Sequence, residues 1–206
     1  MIRTGLLLII GLTILFSACN AVPIEYHHIP LHHGLGMLEI RDNDFFDTTY
    51  SWVHELDCDC CHQRKYRLSD ARFPILMENG WKYPQPDSAW QLTVLQPENP
   101  ACDTSFQVDH QEMKNQIKYI NGQYWGDPYW VYSRIRKIDG HDFLILGWEI
   151  KHYQRYNNQN VQELLAITSI DGEKVTLDFS CRRGDCGNFL RRSYWLLENM
   201  KILKSP

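Results

Sequence analysis

The chain has 206 residues, of which 44% are hydrophobic, 22% charged and 13% aromatic, with a formal net charge of −4. That apolar fraction excludes a disordered chain, and the length suits one domain with a substantial core. The acidic balance lacks the basic footprint of a nucleic-acid binder, so no nucleic-acid partner is expected.

The first element is a leader. Arg3 precedes the apolar run Leu6–Phe16, and Ser17-Ala18-Cys19 follows. A charged start, a short apolar centre and small residues at the end are the layout of a signal peptide, here residues 1–18. The apolar run is too short for a membrane span, which needs about 20 residues. The stretch Leu15-Phe16-Ser17-Ala18-Cys19 resembles the lipobox of bacterial lipoproteins, with Phe16 where that motif usually has leucine. The resemblance implies cleavage before Cys19 and acylation of its thiol and new amino group. The membrane is then a partner through an N-terminal lipid anchor, at the bacterial cell membrane or outer membrane. The alternative is cleavage after Ala21, which gives a soluble secreted or periplasmic protein.

Residues 19–36 read as the lipidated N-terminus and a tether, because Pro23, Pro30, Gly34 and Gly36 interrupt any period. His27, His28, His32 and His33 add polarity there, and four imidazoles in a short span suit Zn, Cu or Ni. The competing reading is a polar spacer. The globular domain is expected over 37–206, beginning with strands at Met37–Arg41 and Thr48–Leu56. Cys58, Cys60, Cys61 and His62 then form a knot of thiolate and imidazole ligands for Zn or Cu. Their spacing is not the Cys-x-x-Cys pairing of structural zinc sites, and an oxidising compartment draws such thiols into disulfides. Further strands are expected at Phe73–Met77 and Trp90–Leu95.

Asp109 and Glu112 form a capping-box-like helix start, Met113, Ile117 and Ile120 make one apolar face, and Asn121-Gly122 is a stop. Tyr124, Trp125, Tyr129 and Trp130 bracket a Gly-Asp-Pro turn, and exposed rings there suit a glycan or a protein partner. Asp139-Gly140 and Asp171-Gly172 predict type I′ hairpins. They join Trp130–Ile138 to Asp142–Tyr153 and Gln162–Ile170 to Lys174–Cys181, a four-stranded meander. Besides Cys19, the six cysteines Cys58, Cys60, Cys61, Cys102, Cys181 and Cys186 are an even set suited to disulfides. Cys181 with Cys186 is the first expected pair, which leaves Cys102 for the 58–61 cluster. A second helix from Asn188 to Leu197 and a strand Asn199–Leu203 close the chain. The sum is α+β, an antiparallel sheet with two helices packed on it in a single domain.

Phe143–Ile150, Leu165–Phe179 and Phe189–Ile202 together resemble the PsbP-like α/β/α sandwich, which implies a meander leading to a helix and a closing strand. No Gly-x-Ser-x-Gly elbow, His-Glu-x-x-His helix or phosphate loop occurs, so no catalytic residue is assigned. The expected function is a non-enzymatic envelope lipoprotein that binds an envelope protein or glycan without a cofactor. Metal handling through the 27–33 histidines or the Cys58–His62 cluster is the alternative, and a hydrolase assembled from scattered residues the third.

Overall fold

Alternating apolar positions make most of the described residues into strands. The computed structural model describes residues 25–42, 48–54, 63–69, 89–99, 106–123, 128–153, 159–182 and 186–204. In chain order the elements are β1 (Glu25–Leu31), β2 (Gly36–Asp42), β3 (Thr48–His54), β4 (Gln63–Ser69) and β5 (Ala89–Pro97). Then come α1 (His110–Gln123), β6 (Tyr129–Ile138), β7 (His141–Tyr153), β8 (Gln159–Ile170) and β9 (Glu173–Arg182), followed by α2 (Phe189–Glu198) and β10 (Lys201–Leu203). A seven-stranded antiparallel sheet runs β3-β4-β5-β9-β8-β7-β6, and a three-stranded sheet runs β1-β2-β10.

The meander forms as its turns require. Asp139 and Gly140 have φ of 46° and 86°, and Asp171 and Gly172 have 50° and 87°, the paired positive values of a type I′ turn. Strand β7 carries apolar side chains on both faces. Phe143 and Ile145 enter a core shared with α2 and the small sheet, whereas Leu144, Leu146, Trp148 and Ile150 lie under α1. The large sheet is therefore the middle layer, with α1 on one face and α2 beside the small sheet on the other. Each such Leu or Ile contributes roughly 1.5–3 kcal/mol by leaving water. The architecture is one α+β domain. Helix α1 starts where its cap predicts, with the Glu112 N–H donating to Asp109 Oδ1 at 2.7 Å. It runs through Asn121-Gly122 to Gln123.

The expected tether is the main correction. From Glu25 onward it is domain, not spacer, because Ile29 and Leu31 bury alternate side chains in the core. Pro30 is tolerated because β1 is an edge strand, where a missing N–H costs no ladder bond. The globular part thus includes Glu25–Leu31, ahead of Met37. Strand β4 was not expected, and the closing strand β10 pairs with β2 in the small sheet. The segment Phe73–Met77 lies outside the described residues.

Gly36 carries the junction between β2 and the chain end. It has φ of 98°, and a Cβ there would run into the Leu203 carbonyl oxygen. Gly34 has φ of 76° but faces open space. Gly36→Ala is therefore expected to cost about 2–3 kcal/mol and to loosen β10, while Gly34→Ala costs about 1 kcal/mol, as read by urea denaturation.

Candidate functional site

The residues singled out in the sequence do not converge. Cys181, at the end of β9, bonds Cys186, which precedes α2, with an S–S distance of 2.06 Å. Cys19, Cys58, Cys60, Cys61, His62, Cys102, Tyr124 and Trp125 lie outside the described residues. Tyr129 is 67% exposed at the start of β6, but Trp130 packs against Trp148 with ring centroids 5.6 Å apart. Trp130 thus belongs to the α1-side core, on the face opposite Tyr132, because the β6–β7 register shifts between these two residues and breaks the alternation there. A surface role falls to Tyr129 alone of that described pair.

The histidines are spread by the strand that holds them. His27 and His28 take opposite sides of β1, and His28 Nε2 lies 3.2 Å from Glu39 Oε2. His32 and His33 sit in the β1–β2 turn, with ring centroids 6.3 Å apart. Among the described residues no three His, Cys, Asp or Glu side chains are placed to hold a metal ion.

What the turn histidines do is join the sheets. His33 Nδ1 lies 2.7 Å from Glu173 Oε1 at the start of β9, and its Nε2 lies 3.1 Å from the Glu98 carbonyl oxygen. Arg64 on β4 forks onto the Glu98 carboxylate at 2.7 and 2.9 Å, and the His32 N–H donates to buried Gln96 Oε1 at 3.0 Å. The Glu98 carboxyl is held below its ordinary range, chiefly by the Arg64 hydrogen bond. His32 is pushed below its ordinary value near 6.5, first by burial, then by the Arg64 charge, with Glu98 opposing and His33 adding repulsion.

A second constellation faces outward, where α2 meets the β6 edge. Tyr132, Arg134 and Arg136 share one side of β6, because alternate residues of a strand do. Tyr132 stacks on Tyr194 of α2, with centroids 4.7 Å apart and planes 19° off parallel. The Arg134 guanidinium lies 5.2 Å from the Tyr132 ring centre and 5.5 Å from that of Tyr194. Arg136 donates to the Tyr194 hydroxyl at 3.0 Å and pairs with Glu198. The Tyr194 hydrogen bond first, with the Glu198 carboxylate beside it, holds the Arg136 guanidinium firmly in its cationic form.

Helical geometry extends this surface along α2. Phe189, Leu190, Ser193, Leu196 and Leu197 are buried, so Arg191, Arg192 and Trp195 fall on the outer side. Trp195 is 41% exposed, and Arg41 of β2 lies over its ring at 5.8 Å. The Arg41 Nε is buried without a hydrogen-bond partner among the described residues. A depression of about 460 Å³ opens on this side of the helix, lined among the described residues by Asn188, Arg191, Arg192, Tyr194, Trp195 and Glu198. Chemically this is a preformed cation–aromatic surface, suited to anionic groups held by fixed guanidinium forks and flanked by flat rings. The sequence reading passed over it. Its signal was present in Arg191-Arg192-Ser193-Tyr194-Trp195, where a tryptophan falls opposite the apolar stripe.

Two outcomes follow from these geometries. A Cβ on Gly147 of β7 would stand 2.6 Å from Tyr132 Cδ2. Gly147→Ala is expected to cost about 1–3 kcal/mol and to unstack Tyr132, as a thermal melt and near-UV circular dichroism would register. For pH, His32 has its folded value below its unfolded one, so its contribution is full above about 6.5 and declines as pH falls through that value. Glu98 is also lowered, so its contribution is lost only at more acid pH, below the ordinary carboxylate value of 4.5. Urea midpoints measured between about pH 7.5 and 5.5 should fall in the wild type and stay flatter in His32→Gln.

No protein-family model matches the chain, and no curated protein matches it by sequence. Among solved structures it is similar to the cyanobacterial PsbP (CyanoP) of Synechocystis sp. PCC 6803, with 12% identity and a TM-score of 0.50 over 90% of this chain and 98% of that one. A Pseudomonas aeruginosa protein of unknown function aligns at 7% identity and a TM-score of 0.38, over 88% of this chain and 99% of that one. The likeness to CyanoP is one of fold: this chain has the PsbP-like arrangement, as its C-terminal third implied.

Proposed function

We propose that this chain is an exported bacterial lipoprotein, anchored at Cys19, that serves without catalysis as a binding module of the cell envelope. The observation that carries the binding reading is the cation–aromatic surface of α2 and β6. Arginines are held there over stacked tyrosine rings beside a half-exposed tryptophan. Binding surfaces concentrate Arg, Tyr and Trp because these side chains offer large contact area and directed hydrogen bonds at small entropic cost. Its partner carries negative charge.

Export is supported by the leader 1–18 and by the Cys181–Cys186 disulfide, a bond favoured in oxidising compartments. Among the described residues no helix is long and apolar enough to cross a membrane, so in this reading attachment falls to the lipid. The test is metabolic labelling with palmitate in the cells that make the protein. The wild type should incorporate label and fractionate with membranes, and Cys19→Ser should do neither. An unlabelled wild type recovered as a soluble, shortened chain would place cleavage after Ala21 and end the anchoring reading.

A further inference from the structure

We infer that the α2 surface lies against the anionic phospholipid headgroups of the membrane that carries the anchor; this rests on acylation of Cys19 as proposed above. Reach comes first. Strand β1 begins at Glu25, so five residues, 20–24, separate it from Cys19. Fully extended, such a segment spans about 20 Å, about half the width expected for a domain of this size. The domain therefore stands close to the bilayer, and the place where the chain enters it faces the lipid.

That place adjoins the cation–aromatic surface. The register of the small sheet sets Glu25 opposite Asp42 and Tyr26 opposite Arg41. Paired residues on antiparallel strands lie about 5 Å apart. Arg41 in turn lies over the Trp195 ring. The start of β1 and the outer side of α2 are thus neighbours in one layer of the domain, whereas α1 packs on the opposite face of the large sheet.

Charge and chemistry select the occupant. The chain as a whole is acidic, at −4, yet Arg41 over Trp195, Arg134 and Arg136 over Tyr194, and Arg191 and Arg192 in the depression beside Glu198 all lie on this surface. An anionic surface attracts this side and repels the rest, which orients the domain as well as holding it. Guanidinium forks match phosphate oxygens. Trp195 and Tyr26, 41% and 47% exposed, are the amphipathic rings that settle at headgroup depth. A lipid surface accounts for the cations, the exposed rings and the short reach together. An acidic protein partner accounts for the cations and the rings but not for the short reach.

The experiment is photocrosslinking of the full chain in its own envelope, with cells labelled by radioactive phosphate. Trp195→p-benzoylphenylalanine probes the surface, and Tyr119→p-benzoylphenylalanine probes α1, where Tyr119 is 63% exposed. The expected result is a phosphate-bearing phospholipid adduct at position 195 at least about fivefold stronger than at 119, the discrimination that one surface cation near anionic lipid provides. Arg191 lines the depression, and adding Arg191→Glu should lower the yield at 195 by about fivefold or more, without shifting the thermal midpoint. Equal yields at the two positions overturn the inference, as does a protein adduct or a dimer of this chain at 195 in place of lipid. Palmitate incorporation is read in the same cells. Labelled Cys19 without a lipid adduct at 195 sinks this inference alone. Absent label sinks the anchoring reading, and the phosphate adduct then decides the surface by itself.

Discussion

The helix α2 is held at both ends by different sheets, and this double attachment organises the molecule. At its start, the Cys181–Cys186 disulfide ties it to the end of β9, in the middle of the large sheet. At its end, the chain passes within a few residues into β10, which pairs with β2 of the small sheet. Between these points Phe189, Leu190, Leu196 and Leu197 enter a core lined by both sheets. Because the bridged loop is short, closing it contributes only about 2 kcal/mol in the chain-entropy picture. Its larger effect is positional, since it sets where the helix begins and so which side of it faces out.

The other end of the small sheet is secured by polar contacts. His33 spans from the β1–β2 turn to Glu173 and to the Glu98 backbone, while Arg64 engages the Glu98 carboxylate. The Glu173 side chain is only 7% exposed, so its hydrogen bond to His33 acts in a low-dielectric setting. Disulfide, apolar core and polar clamp together hold the small sheet in one position on the large one. The cation–aromatic surface inherits that rigidity, because Arg41 comes from the small sheet, Tyr194 and Trp195 from α2, and Tyr132 and Arg134 from the large sheet. A surface assembled from three elements keeps its shape only while the elements keep theirs.

Local chemistry was legible wherever its cause lay within a few residues. The Asp-Gly turns, the Asp109 cap, the helix α2 and the short Cys181–Cys186 loop all formed as read. Strand β1 was obscured by Pro30 and the flanking histidines, since a proline signals a break unless the strand is known to lie at an edge. Strand β4, with Arg64, Lys65 and Arg67 among its seven residues, carries too many charges to announce a buried strand, although it pairs on both sides. Trp130 reads from the sequence as a surface ring because composition does not state which side of a strand is covered.

The sequence by itself determined the secondary structure of the C-terminal half, the α+β class and the pairing of two cysteines. These depend on period, turn geometry and short loop closure, which are local. Only the tertiary structure decided that β1 belongs to the domain, that Trp130 packs inward, and that arginines from β2, β6 and α2 converge around Tyr194 and Trp195. Those outcomes depend on which elements become neighbours. That is set by burial of shared apolar faces, a property of the whole chain that no window of sequence contains.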